Sequence, residues 1–401
     1  MTNSDVLISG AGIGGPALAY WLRQYGYNPT VVERAPAPRP GGQTVDLRGA
    51  GRSVIERMGL MDRVRELSLE QEGIAFLLGK GRIAARMPTD MFGGEGIVSE
   101  IEILRGDLGQ VLYESTVADT EYLFDETITG IDQDADGVTV TFEKAPPRRF
   151  AFVVGADGLH SVVRKLAFGA EADHFRPLDL YTAWFTAPAD FELDGWYQMY
   201  NAPGGLVASA RPGRLPGENK AGLSFRSAPL DYDRRDIEAQ KRIVEERFAH
   251  VGWETPKLLA AMLSAPDFTF DSMGQVHLDS WSRGRVALLG DAGYCPSPLT
   301  GLGTSLALVG AYVLAGELAA AGGDHTVAFA NYDKVMRPYV TQAQELPPGG
   351  VGGYAPASAL AIRLRTTSMR WMGRWPLRNL MAKQFAKAGD IELSEYASVS
   401  A

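Results

Sequence analysis

Two stretches of the 401-residue chain carry residues whose types and spacing can hold an anionic ligand. In the first, GRVALLGDAGYCPSPLTGLGTS at 284–305, the apolar run 286–289 has the character of a buried strand, and Gly290-Asp291 follows at its carboxyl end. Open α/β sheets keep their ligand crevices at such ends, so the strand would deliver a carboxylate to one. A Pro/Gly-rich turn containing Pro298 and Leu299 then leads into Gly301-Leu302-Gly303-Thr304, the expected start of a small-residue helix. The first N–H groups of a helix have no partner inside it and favour an anion or a carbonyl. The ring of a reduced flavin is one such group; an ordinary strand, loop and helix is the other reading of these residues alone.

The second stretch lies at the amino terminus. A short apolar strand at 5–9 runs into Gly10-Ala11-Gly12-Ile13-Gly14-Gly15, which matches G-x-G-x-x-G, and a helix is expected over 16–25. Gly10 permits the tight turn, Gly12 lets backbone approach a pyrophosphate, and Gly15 lets helix and strand pack closely. The next strand, 29–32, ends in Glu33-Arg34, where the dinucleotide fold places an acid on the adenosine ribose. Glu33 would repel a 2′-phosphate, which favours FAD or NAD over NADP as the tightly held nucleotide.

Other elements must position these two stretches. Gly41 to Gly49 is glycine-flanked and polar: Asp46 and Arg48 either face a cofactor or belong to a solvated loop. Arg105 opens a further helix, where a cation opposes the helix dipole unless it faces a phosphate or solvent. An apolar strand at 150–154 ends in Gly155-Ala156-Asp157-Gly158, a third strand finishing in glycine and acid. Hairpins are expected near 74–87 and 127–142. Residues 179–226 are rich in aromatics and Pro-Gly turns and read as a second, sheet-based domain, with Gln198, Arg211 and Arg226 as candidates for orienting an aromatic ligand. A sheet that merely packs its own core is the alternative. Helices follow at 236–250, 256–264, 301–321 and 327–344; 347–353 reads as a mobile linker or lid, and the basic, tryptophan-bearing 355–387 as a helix spanning both domains.

Composition narrows the classes. With 45% hydrophobic and 22% charged residues the chain has the profile of a soluble globular protein of about two domains. A net charge of −9 provides no basic field for nucleic acid or for stable membrane association. No secretory signal is evident, the apolar run 306–321 is short for a bilayer and carries Glu317, and a lone Cys295 forbids an internal disulfide, so a reducing cytoplasm is expected. The five histidines match no metal spacing, and neither a G-x-S-x-G nor a Cys–His motif supports nucleophilic hydrolysis.

The order of the three motifs, Gly10-x-Gly12-x-x-Gly15 with Glu33-Arg34, then Gly155-Ala156-Asp157-Gly158, then Gly290-Asp291 with 298–304, resembles the class A flavoprotein aromatic monooxygenases of the para-hydroxybenzoate hydroxylase fold. Asp46-Leu47-x-Gly49 and the C-terminal helix look most like the branch of the tetracycline-inactivating monooxygenases. The resemblance implies an α/β fold: an FAD-binding Rossmann-like domain (1–72, 98–178 and 267–345), an inserted β-sheet substrate domain (73–97 and 179–266) and a C-terminal bridging helix within 346–401. It implies that Gly10, Gly12, Ile13, Gly14, Gly15, Glu33, Arg34, Asp46, Arg48, Arg105, Asp157 and Asp291 serve FAD and that Gly301, Leu302, Gly303 and Thr304 cradle its ring. NADPH or NADH would bind transiently, in part at the Asp157 motif. Gln198, Arg211, Arg226, Pro298 and Leu299 would surround an aromatic or polycyclic substrate, hydroxylated with O₂ through a flavin C4a-hydroperoxide by a monomer or weak homodimer. No catalytic acid or base is named. Many relatives have a histidine where Tyr294 stands. A flavin-dependent halogenase shares the fold, but its Trp-x-Trp-x-Ile-Pro motif is not matched here; an FAD-holding protein that sequesters a polycycle is the remaining alternative.

Overall fold

Asp5–Ser9 has one exposed residue and then four buried ones, the signature of a strand covered on both faces. It lies inside a six-stranded sheet in the order Ser282–Arg283, Val286–Leu288, Phe152–Gly155, Asp5–Ser9, Asn28–Glu33, Glu121–Phe124, parallel except for the Ser282–Arg283 edge. Val6, Leu7, Ile8, Val153, Val154, Ala287 and Leu288 are fully buried at its centre. Register does the important work. Ser9 pairs with Gly155 and Val32, and Gly155 with Leu288, so the three glycine-and-acid motifs leave the sheet side by side at one edge. The computed structural model describes residues 4–94, 96–372 and 391–397.

The helix Gly14–Gln24 can lie so close to the first strand only because of glycine: a Cβ on Gly15 would stand 1.9 Å from the Gly10 carbonyl oxygen. That helix packs on Gly303–Ala320, which in turn packs on His325–Ala343 and Gly49–Arg57. Gly303–Ala320 is long and apolar enough to cross a membrane by length and composition, but 78% of it is buried here as a core helix.

A seven-stranded sheet forms the second layer, in the order Thr269–Val276, Phe175–Pro188, Glu218–Arg226, Leu206–Pro212, Trp196–Ala202, Gly73–Leu78, Arg82–Pro88. The strand pleat sends alternate residues to opposite faces. Ala183, Phe185, Ala208, Ala210, Leu223 and Phe225 pack beneath helices Ile237–Phe248 and Thr255–Ser264. Met199, Val207, Met273 and Phe76 form the other face, together with Leu299, Tyr354 and Met369. Thr269–Val276 belongs by pairing to this sheet, so the chain rejoins the first layer only after Val276.

Two features of the C-terminal third differ from their composition. Within the glycine-rich segment, Gly350–Tyr354 is helical and anchored: the Tyr354 hydroxyl lies 3.0 Å from Ser224 Oγ, and Asn201 Nδ2 donates to its carbonyl at 3.0 Å. The half-buried Tyr354 ties down its glycine neighbours. The basic helix spans Ala359–Met372 on the large sheet, while the rest of its expected length, with Arg374, Trp375 and Arg378, lies outside the described residues.

Gly15→Ala should destabilise the protein by about 3 kcal/mol or more, because the clash is with backbone. Gly352→Ala, whose Cβ would meet nothing within 4 Å, should leave the urea midpoint unchanged. Equal midpoints for the two variants would refute the packing role of Gly15.

Candidate functional site

The edge where the three motifs emerge side by side carries the candidate site, with a cleft at its glycine-turn end. At one end Glu33 Oε2 accepts a hydrogen bond from the Ala11 N–H and Oε1 from that of Ala35, each at 2.9 Å, so the acid holds the glycine turn and its own following loop. Arg34, beside it, is exposed. The cleft here is lined by Gly12, Glu33, Arg39, Arg105, Gly109 and Gln110, among others. Gly12 faces Arg105, whose Nη2 lies 3.3 Å from the position a Cβ would take. Ile13 caps and Gly14 opens the helix that starts at this point.

Asp291 Oδ1 lies 3.6 Å from the Cβ position of Gly303, at the start of the long apolar helix. Burial pushes the Asp291 carboxyl above its usual range, opposed by a hydrogen bond with Cys295 and by the charges of Arg105 and Arg164. Gly301 takes the left-handed conformation, φ 67°, and its Cβ position is 2.9 Å from Asp46 Oδ2. Asp46 is paired with Arg48 at 3.1 Å, and Ser305 Oγ donates to the Arg48 carbonyl at 3.0 Å. Arg48 is 4% exposed, so this loop is folded against the 301–305 turn and is not solvated. Leu302 caps the helix, and Thr304 is buried in its first turn.

The cleft fits an extended dinucleotide. Burial, and then the neighbouring Arg39, lower the Arg105 pKa, while Asp291 and Glu33 favour its charge. Among the described residues no group hydrogen-bonds the Arg105 guanidinium. A half-buried cation beside a side-chain-free glycine and a helix start fits a pyrophosphate, with Glu33 for the ribose, Asp291 for hydroxyls of the linker and the 301–304 turn for the ring.

Asp157 lies beside this cleft but spends its carboxylate on the protein: it accepts from Val162 N at 2.9 Å, Val163 N at 3.1 Å, Ser9 Oγ at 3.3 Å and the Ser161 hydroxyl. It thereby caps the helix Val162–Phe168 and ties it to the first strand. Arg164, 1% exposed, donates to the Ala292 carbonyl at 2.8 Å and links the second motif to the third. Tyr294 sits in the core behind the motif, its hydroxyl 2.7 Å from that of Tyr332, which donates to the Leu288 carbonyl. Its role there is packing.

Across from the 298–304 turn stands the large sheet. Leu299, Tyr197 and Trp184 each pack against the same apolar cluster on this face of the sheet, whereas Pro298 is exposed. Arg211 stacks on the Tyr197 ring at 3.8 Å and is paired with Glu102, which lies opposite Asp46 in the Thr44–Asp46 and Glu102–Leu104 ribbon. Burial pushes Glu102 up to about 8, with Arg211 opposing and Asp46 adding to the rise. The structure does not bring Gln198 here: one residue from Tyr197, it points to the opposite face and donates to the Glu192 and Leu193 carbonyls. Arg226 is exposed at its strand end.

Glu102, Arg39 and His160 carry no motif in the sequence. His160 follows the Asp157 turn and contacts Glu171 through Nδ1 and Asp271, on the large sheet, through Nε2, each at 3.0 Å, with Arg234 beside it. Burial disfavours its charge, but hydrogen bonds with Asp271 and Glu171 outweigh that and raise its pKa to about 9.

Comparison with known proteins agrees with this geometry. A family model described as FAD binding domain matches residues 3–344. The flavin-dependent monooxygenase of Legionella longbeachae serogroup 1 (strain NSW150) is 39% identical over 343 residues, covering 86% of this chain and 87% of the relative. The chain belongs to the flavin-dependent monooxygenases. An uncharacterized protein of Mycobacterium tuberculosis (strain ATCC 25618 / H37Rv) is 46% identical over 355 residues, 88% of this chain and 94% of that one. Among solved structures, tetracycline destructase Tet(55) superposes with a TM-score of 0.82 at 36% identity, covering 99% of this chain and 100% of that one. Tet(51) gives 0.83 at 32%, with the same coverage. The class A fold and FAD binding of this monooxygenase stand on these matches, and they do not favour the halogenase or the sequestering protein.

Two expectations follow. Arg105→Ala should weaken FAD binding roughly 10- to 150-fold, the equivalent of about 1.5–3 kcal/mol for a charged hydrogen bond, in a fluorescence titration of apoprotein; unchanged affinity would remove Arg105 from the cofactor site. The raised pKa of His160 means its charge stabilises the fold fully below about pH 6.5, and that this is lost as pH rises through about 9. Between those pH values the urea midpoint of the wild type should fall more than that of His160→Gln, and parallel profiles would contradict the ion cluster.

Proposed function

We propose that this FAD-dependent monooxygenase hydroxylates a polycyclic, tetracycline-like small molecule at the face between Leu299 and Tyr197, using NAD(P)H and O₂. The observation that carries the reading is the meeting of two surfaces: the 298–304 turn, which ends the FAD cleft, and an aromatic sheet face bearing Tyr197, Arg211 and Tyr354. The tetracycline destructases at 32% and 36% identity support the substrate class.

When bound, the flavin supplies oxygen activation, with electrons from the nicotinamide cofactor. One NAD(P)H, one proton and one O₂ yield NAD(P)⁺, water and a substrate bearing one added oxygen. The chain's own residues bind, orient and exclude water. Arg105 and Gly12 would hold the diphosphate, Asp291 the linker, and Asp46 with Arg48 would fix the turn at Gly301. Leu299, Tyr197 and Trp184 would wall the substrate from solvent, so positioning is the protein's main contribution. The anchored Gly350–Tyr354 helix covers the same face, a cover that substrate must displace to enter. We place the activity in a reducing cytoplasm, where the single Cys295 stays buried and unoxidised.

NAD(P)H oxidation, O₂ uptake and product mass with tetracycline and a panel of fused-ring phenols test the reading. We expect substrate-stimulated oxidation and a product heavier by one oxygen. Tight binding without turnover would instead favour a sequestering protein. Leu299→Arg, which puts bulk and charge into an apolar wall, should abolish hydroxylation while leaving the flavin in place. Normal hydroxylation by that variant would move the substrate elsewhere.

A further inference from the structure

The substrate face carries two guanidinium groups, and they differ in how their charge is met. Arg211 has Glu102 as its partner, with Asp46 and Arg48 continuing an alternation of charges toward Gly301. Arg365 comes from the Ala359–Met372 helix and enters the same face two strand positions away, beside Met199 and Asn201. Its Nη1 donates to Asn201 Oδ1 at 2.7 Å, its Nη2 approaches the Met199 sulfur at 3.9 Å, and its guanidinium lies 4.8 Å over the Phe76 ring. Nε is buried without a hydrogen-bond partner. Among the described residues no carboxylate pairs with it. The titratable groups that influence it are the hydroxyls of Tyr354 and Tyr197, and burial holds its pKa down, at about 10.

Asn201 is an imperfect partner, since a neutral amide oxygen leaves the positive charge uncompensated. Cation–π contact with Phe76 offsets only part of that. A guanidinium with an unused donor, framed by Tyr197 and Tyr354, matches a flat ring system that carries an ionised oxygen.

We propose that Arg365 is a specificity-determining residue that selects substrates bearing an anionic oxygen, an enolate or carboxylate fused to the ring system. The inference rests on the proposed substrate face and adds the charge of the ligand to it. Arg211, already held by Glu102 and stacked on Tyr197, serves the neutral polar part of the molecule and the alignment of Tyr197. Arg365 ties the C-terminal helix to ligand choice, because the same side chain that pins the helix to Asn201 would offer its unpaired Nε to a substrate that displaces the packing around it.

Calorimetric titration of the purified FAD-loaded protein near pH 7.5 with a matched pair of probes, 3-hydroxy-2-naphthoate and neutral 2-naphthol, tests this. The wild type should bind the anion about tenfold or more tightly than the neutral ring, as expected for a charge-assisted contact. Arg365→Gln should remove that preference while keeping the affinity for 2-naphthol and the flavin content, and Arg365→Lys should restore part of it. A wild type that binds the two probes equally overturns the proposal whether or not the variants fold. If Arg365→Gln weakens both probes alike, the residue is only a structural clamp and the proposal also falls. Binding of neither probe overturns the fused-ring reading of the face together with this one, whereas equal binding overturns this one alone.

Discussion

The half-buried charge of Arg105 is the constraint on which the cofactor end of the molecule depends. A guanidinium withdrawn from water is costly unless anions surround it, and here the protein supplies them only at a distance, Asp291 on one side and Glu33 on the other. The backbone around it is correspondingly fixed. Arg105 N donates to the Gln43 carbonyl at 2.9 Å and Gly106 N to that of Gly41 at 2.8 Å. A Cβ on Gly106 would stand 2.5 Å from Gly41 N, so the helix start and the 39–43 loop are pressed together. A diphosphate on Arg105 would complete an arrangement whose other parts are already in place.

Parallel pairing sets where that arrangement can form. Because Asp5–Ser9, Phe152–Gly155 and Val286–Leu288 run the same way and stay in register, their terminal glycines and acids emerge together. An antiparallel partner would have sent one motif to the far edge. The acids then divide by environment: Asp291 faces the cleft, while Asp157 is satisfied by Val162, Val163 and two hydroxyls and so becomes part of the scaffold.

Much of this was legible in the sequence, for a physical reason. Strand-end glycines and acids are local signals, fixed by turn geometry and by the needs of a phosphate, so the nucleotide strands, the glycine turn and the long apolar helix could be placed from residue order. The substrate sheet was harder. Its strands are buried on both faces, and periodicity does not reveal which face meets the cofactor. Thus Arg211 lies on the face toward Leu299, whereas Gln198 lies on the other although it neighbours Tyr197. Long-range partners are invisible for the same reason: Glu102 beside Arg211, and Asp271 beside His160, are more than a hundred residues apart in each case. Glycine-rich composition at 347–353 does not reveal the short helix there, because its anchor, the half-buried Tyr354, bonds to Ser224 and Asn201 far away in the chain.

The described parts of the C-terminal segment pack on both layers. Residues 359–372 lie on the large sheet, while residues 391–397 lie on the helices of the first. There the Tyr396 ring fills the space left by Gly316, where a Cβ would come within 2.2 Å of it, and its hydroxyl donates to Glu317 at 2.8 Å. Glu317 is the one carboxylate in the helix Gly303–Ala320, 9% exposed, and a buried acid of that kind needs a donor. Arg57 adds an ion pair to Glu395, and the Tyr312 hydroxyl donates to the Ser394 carbonyl at 2.6 Å. The helix so clamped is the one whose first turn carries Gly303 and Thr304, and the helix at 359–372 carries Arg365. Residues 391–397 therefore brace the helix that carries the cofactor turn, and residues 359–372 brace the substrate face.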